Sequence, residues 1–275
     1  MEKKKIFRAA PLPFMGQKRK FLKQFEPALK NYSPTAIYVD LFGGSGLLSH
    51  TVKSLYPNST VIYNDFDNYS ERLKNIEKTN KLIQDFRQIL INYPKDKKIE
   101  GLFREKIIER IFNEKEKGYV DFITISSSLL FSMKYALSYE EFSKETLYNC
   151  VRQTDYNSDG YLDNINIVRM CYKDLFIQYK DVKNVVFLVD PPYLSTDSST
   201  YKSYWKLKDY LDVLQVLENT KYFYFTSNKS SIIELCEWIE TKTPMSNPFN
   251  GAYTESMKTF VNFQSSYTDI MIYKI

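Results

Sequence analysis

Six short apolar runs constrain this chain more than any other feature: "AIYVDLF" (36–42), "TVIYND" (60–65), "VVFLVD" (185–190), "KYFYFT" (221–226), "KTFVNF" (258–263) and "TDIMIY" (268–273). Each has the length and the β-branched and aromatic content of a strand. "NIVRMCYKD" (166–174) is a weaker seventh. Helix-like patterns lie between several of them, at Leu47–Tyr56, Trp205–Glu218 and Ser231–Ile239. Strands alternating with helices predict βαβ units and a mostly parallel sheet. Only "QSSY" separates the last two runs. A link that short joins antiparallel neighbours, so the sheet should finish in an antiparallel hairpin.

The alternation breaks between residues 68 and 165, where the pattern is helical and polar. "KIEGLFREKIIERIFNEKEKG" (98–118) carries apolar residues at helical spacing, and "SSSLLFSMKYAL" (126–137) reads as a buried helix. "RQTDYNSDGYLDN" (152–164) has the turn residues of an exposed loop. The expected organisation is an α/β domain formed by 1–67 and 166–275, with a helical subdomain inserted at 68–165.

Composition narrows the function classes. The 275 residues are 43% hydrophobic, enough for a real core in one large domain or a domain with an insertion. The 23 tyrosines and 19 phenylalanines fit a codon bias as readily as a function, so they decide nothing. A net charge of +5 permits a nucleic-acid partner without demanding one. Cys150, Cys171 and Cys236 stand far apart, with no CxxC pattern and with His50 as the sole histidine. That spacing argues against a disulfide framework and a zinc site, and no metal is expected. It also removes histidine general-base chemistry unless His50 supplies it. Without a signal peptide or a run of about 18 apolar residues, the chain is expected to be soluble and intracellular.

Three of the eight glycines, Gly43, Gly44 and Gly46, crowd into "VDLFGGSGLLSH", after a strand and before a helix. Glycines there allow a tight turn and a close approach of ligand to backbone. No Gly-Lys-Ser/Thr follows, so this is not a P-loop. Asp40 at the strand end would repel a pyrophosphate and attract an ammonium or sulfonium. Asp65 ends the next strand, where an acid suits a ribose diol. The combination favours S-adenosylmethionine over a dinucleotide.

Three segments in this order carry a resemblance. "PFMGQKRKFL" resembles an FxGxK segment, "DLFGGSG" a DxFxGxG cofactor loop, and "DPPY" the catalytic tetrapeptide of amino-methyltransferases. Together the chain resembles the Dam-like (D12 class, α-group) adenine-N6 DNA methyltransferases. "YFYFTSNKSSIIEL" is similar to that family's strand–SN–helix segment. The resemblance implies a Rossmann-like class I methyltransferase sheet, with the helical insertion as target-recognition subdomain. It implies S-adenosylmethionine held by Phe14, Gly16, Lys18, Asp40, Phe42, Gly44, Gly46, Asp65 and Asp174. It implies double-stranded DNA as partner, and a cytoplasmic, nucleoid-associated or phage-encoded enzyme. In the insertion, "YNSDGYLDN" keeps Asn157, Gly160 and Tyr161 of an N-x-x-G-x-[FY]-N loop but departs from it at Leu162 and Asp163. Arg152, Asn157 and Tyr161, with Tyr201 and Lys202 after DPPY, are the candidate DNA contacts.

The tetrapeptide itself has a chemical logic. Adenine N6 is a poor nucleophile because its lone pair is conjugated into the ring. Asp190 and the Pro191 carbonyl can each accept one N6 hydrogen, and the two prolines fix that carbonyl. Tyr193 can stack on a base flipped out of the duplex. Direct in-line displacement then needs alignment rather than a covalent enzyme intermediate. Cytosine N4, RNA adenine and a catalytically silent DNA-binding relative stay open at this point.

Overall fold

A computed structural model describes residues 6–131, 134–194, 205–243, 246–260 and 266–275. Among the described residues, seven strands form one sheet: β1 (Ile37–Asp40), β2 (Thr60–Asn64), β3 (Asn166–Val168), β4 (Val185–Val189), β5 (Tyr222–Ser227), β6 (Tyr253–Phe260) and β7 (Ser266–Lys274). Their order is β3-β2-β1-β4-β5-β7-β6. The first five are parallel, while β7 pairs antiparallel with both β5 and β6. The fold is therefore Rossmann-like, with the expected antiparallel hairpin at its end.

β4 and β5 are buried along their whole length. This is why they read as unbroken apolar runs with no alternation. β5 carries Tyr222 and Tyr224 in that core. A buried phenol needs a partner, and the Tyr222 hydroxyl donates to the Pro248 carbonyl at 2.9 Å. The Tyr32 hydroxyl likewise donates to the Lys274 carbonyl at 2.9 Å. Several tyrosines thus serve as core aromatics with a hydrogen-bonding end.

Helix α1 (Leu22–Leu29), entered through a short 3-10 turn at Arg19–Phe21, covers one face of β5. Phe25 meets Phe223 edge-on at 4.8 Å and Phe21 meets Phe225 at 5.6 Å. α2 (Leu47–Leu55) follows the glycine loop. The sequence 166–174 departs from the strand expectation. Only Asn166–Val168 pairs, and α8 (Tyr172–Tyr179) takes the remainder. Tyr172, Leu175 and Phe176 fall at helical spacing and pack onto the sheet's core. α9 (Leu207–Leu217) and α10 (Ile232–Lys242) complete this unit. The strand expected at 258–263 starts earlier, at Tyr253, and residues 261–263 lie outside the described residues.

A second compact unit comprises residues 68–161 together with Ala9–Gln17; the sheet unit comprises 6–8, 18–67 and 162–275. The helical unit holds α3 (Tyr69–Lys74), α4 (Ile76–Ile89), α5 (Gly101–Lys115), α6 (Phe122–Leu129) and α7 (Tyr139–Phe142). Its own core is built from Leu82, Ile83, Phe86, Ile107, Ile125 and Phe142, among others. Residues 9–17 group here for a physical reason. The Tyr69 hydroxyl accepts from Leu12 N at 2.9 Å and lies 3.1 Å from Leu12 O, and Arg72 Nη2 donates to Pro13 O at 2.8 Å.

Candidate active site

In an open α/β sheet, ligands bind beyond the carboxyl ends of the strands, where the strand order reverses. Here the chain runs from β1 outward to β2 and β3, then returns to β4 on the other side of β1. The reversal lies between β1 and β4. Asp40 closes β1, and Asp190 directly follows β4. Both sequence-predicted acids therefore stand at the one place where this topology opens a crevice.

Asp40 is 1% exposed. Its Oδ2 accepts from Ser49 Oγ of α2 at 2.7 Å, and its Oδ1 is buried with no hydrogen-bond partner among the described residues. Burial pushes its pKa up to about 7; the Asp190 charge adds to this, while Ser49, the Phe42 backbone and Lys18 act the other way. A buried carboxylate oxygen without a donor is costly, and a cationic or N–H-bearing ligand would remove that cost.

The glycine loop has two different reasons for its glycines. Gly44 and Gly46 adopt φ of +50° and +73°, a left-handed backbone that disfavours side chains. Gly43, which the motif does not require, is the tightest. A Cβ there would lie 2.2 Å from the Tyr63 ring. Tyr63 is fully buried, and its hydroxyl lies 2.7 Å from the Gly44 carbonyl and 3.0 Å from Asp65 Oδ1. One tyrosine thus ties the loop after β1 to the acid after β2. Asp65 is itself buried.

Phe42 packs with Tyr172 at 4.8 Å and with Trp205 at 5.7 Å. Tyr172 and Trp205 stack at 5.7 Å with an 18° tilt. Sequence reasoning singled out Phe42 but neither of its partners, which come from distant parts of the chain. Asp174 sits in the first turn of α8 and is exposed.

At β4's tip, Asp190 Oδ2 pairs with Lys18 Nζ at 2.5 Å. That ammonium also lies over the Tyr193 ring, 5.5 Å from its centroid, and over Phe225 at 5.9 Å. Burial raises the Asp190 pKa, and Lys18 opposes the rise. Pro191 is buried, and the Tyr193 carbonyl lies 3.4 Å from the Tyr210 hydroxyl. Tyr201 and Lys202 lie outside the described residues.

The model of one protein family, "D12 class N6 adenine-specific DNA methyltransferase", matches residues 14–233. The chain belongs to the D12 class of N6 adenine-specific DNA methyltransferases. A Haemophilus influenzae protein, whose name gives methyltransferase as an inferred activity, is 40% identical over all of this chain and 95% of its own length. Among solved structures, a precorrin-6y C5,15-methyltransferase from Geobacter metallireducens covers 100% of this chain and 94% of that one, at 9% identity and a TM-score of 0.36. By its family and its relative this D12 chain is a methyltransferase, and the family implies S-adenosylmethionine as donor. The orphaned Asp40 Oδ1, the left-handed glycine backbone and the Phe42 aromatic group fit such a molecule.

The remaining predicted residues lie in the helical unit. Phe14 meets Tyr69 edge-on at 5.7 Å, and Gly16 has φ +81°. Arg152 is exposed, with its guanidinium over the Tyr156 ring at 4.4 Å. Asn157 is exposed and bonds Asp159 in a local turn. Tyr161 is 1% exposed, so its ring belongs to the interior and Arg152 and Asn157 remain the loop's surface candidates. His50 is buried, and its Nε2 accepts from Phe7 N at 3.1 Å. That bond gives it a structural task. All three cysteines are free, and no cluster able to hold a metal occurs among the described residues.

Proposed function

We propose that this D12 methyltransferase methylates N6 of an adenine flipped out of double-stranded DNA, using S-adenosylmethionine. The observation that carries this reading is the juxtaposition at the switch point. Asp40 and its glycine loop end β1, the Asp-Pro-Pro-Tyr tip ends β4, and β1 and β4 are hydrogen-bonded neighbours. This pairing supports a donor site beside an amine-accepting one.

When bound, S-adenosylmethionine supplies an electrophilic methyl group on a sulfonium. The residues' tasks follow from their chemistry. Asp40 receives a cationic group at its free oxygen, and Gly44 and Gly46 let the backbone come close. Asp190 and the Pro191 carbonyl accept the two amine hydrogens of the target base and hold its nitrogen in line. The amine that gains a methyl also gains positive charge and must lose a proton. Asp190, whose pKa is raised by burial, is the base beside it. Tyr193 offers a ring for stacking on the extruded base. Arg152 and Asn157 are proposed DNA contacts of the helical unit, and Tyr201 and Lys202 of the segment after the tip.

The test is methyl incorporation from labelled S-adenosylmethionine into double-stranded DNA free of adenine methylation. Asp190→Ala should lower incorporation by about 10³-fold or more, as loss of a positioned acceptor and base requires. Incorporation within about twofold of the parent would remove Asp190 from the chemistry. Base analysis of the product separates N6-methyladenine from N4-methylcytosine, and a parallel RNA substrate tests the polymer. Long-read sequencing of DNA from expressing cells then gives the sequence context.

A further inference from the structure

Lys18 raises an electrostatic problem. The Asp190–Lys18 pair is neutral as a unit. A neutral pair is poorly suited to an amine that becomes positive as it reacts, because the ammonium opposes what the carboxylate favours. The sheet itself supplies a second acid. Directly paired residues of a sheet point to the same face. The registers of β4, β5 and β7 place Asp190, which continues β4, on the face of Phe225, and Phe225 faces Met271 across β7. Asp269, two residues before Met271, lies on that same face and opposite Ser227. Lys18 sits over this face, above Phe225. Asp269 is anchored by Thr259 Oγ1 of β6, which donates to its Oδ2 at 2.7 Å. Its charge is close enough to Asp190 to raise that group's pKa, and Tyr267 is close enough to sense both Asp269 and Lys18.

Building on the role assigned above to Asp190, we propose that Asp269 is a positioning residue for the methyl transfer. It balances the Lys18 ammonium so that the three-group cluster keeps one net negative charge facing the target amine. Asp190, Lys18 and Asp269 carry −1, +1 and −1. Without Asp269 the sum is zero, and Lys18 is drawn wholly onto the oxygens that should accept the amine hydrogens. With Asp269 present, the ammonium has a second carboxylate to turn toward when the amine arrives. Thr259 keeps that carboxylate from swinging away.

The Asp190 charge in turn raises the pKa values of Asp40 at the end of β1 and of Tyr224. Tyr224 and Tyr267 have pKa values raised by burial and stay neutral around pH 7. Lys18 and Asp269 are the charged side chains that shift the Asp190 pKa, the first downward and the second upward.

The experiment measures single-turnover methyl transfer to adenine-unmethylated genomic double-stranded DNA against pH. The enzymes are the parent, Asp269→Asn, Asp269→Glu, Thr259→Val and Asp190→Ala. Asp269→Asn should slow the plateau rate about tenfold with the apparent affinity for DNA within about twofold. It should also move the rising acidic limb to lower pH, because removing a like charge lowers the Asp190 pKa. Asp269→Glu should restore most of the rate, and Thr259→Val should shift rate and limb in the same direction by less. A rate and limb unchanged in Asp269→Asn, with Asp190→Ala inactive, overturn the role of Asp269 alone. An active Asp190→Ala overturns the parent reading instead. If Asp269→Asn melts well below the parent, Thr259→Val decides, and an unchanged profile there also overturns the proposal.

Discussion

At the scale of single residues, Asp40 shows how burial becomes a measurable property. Its pKa rises from 3.8 to about 7 on folding, chiefly because burial penalises the charged form. The folded chain therefore holds this proton more tightly than the unfolded chain. Its ionisation works against the fold, by an amount that is small at pH 4, grows toward pH 7 and is constant above it. Asp40→Asn should accordingly stabilise the ligand-free protein at pH 8 and leave it nearly unchanged at pH 4. Binding should show the opposite sign. A cationic ligand that requires the ionised form should bind about tenfold more tightly at pH 8 than at pH 6. Calorimetry with S-adenosylmethionine at the two pH values checks this, and equal affinities would detach Asp40 from the ligand's charge. Asp40 and Gly44 were legible in the sequence because their pattern is local. Gly43 has a reason that was not, since the Tyr63 ring that excludes a Cβ arrives from the next strand. Asp269 was equally hidden. It reads as one acid in an alternating strand, and only the β5–β7 register brings it to the face of Asp190.

At the scale of elements, the strands were the most legible part, because β4 and β5 are buried on both faces and leave no room for polar residues. The segment 166–174 was misread because β3 is a three-residue edge strand whose run continues into a helix. The helical unit is held in a way no local pattern reveals. Arg72 of α3 pairs with Asp121, 49 residues away, at 3.0 Å, and both are buried. Asp121 is also the N-cap of α6, accepting from Thr124 N at 3.1 Å. Arg72→Met leaves a buried carboxylate without its counter-charge, and should cost about 3–5 kcal/mol. Asp121→Asn should cost less than Asp121→Ala, by about 1 kcal/mol, because asparagine still caps the helix. Urea melts of the three variants give the ranking. A ranking with the two Asp121 variants equal would mean that the cap contributes nothing.

At the scale of the whole molecule, the described residues include a hydrophobic core around β4 and β5 and another around α4, α5 and α6. Each is continuous enough to unfold as its own cooperative step. The sequence supplies probes that tell them apart. Both tryptophans, Trp205 and Trp238, belong to the sheet unit. Tryptophan fluorescence therefore follows that unit alone, while far-ultraviolet circular dichroism follows the helices of both. Arg72→Met should move part of the dichroism transition to lower denaturant and leave the fluorescence midpoint in place. Gly43→Ala should do the reverse. Its new Cβ collides with the Tyr63 ring inside the sheet unit, an overpacking that costs about 1–3 kcal/mol or more. If both substitutions shift both signals by the same amount, the two cores unfold as one cooperative system. In that case stability lost in the helical unit is lost at the same denaturant concentration from the strand ends that carry Asp40 and Asp190.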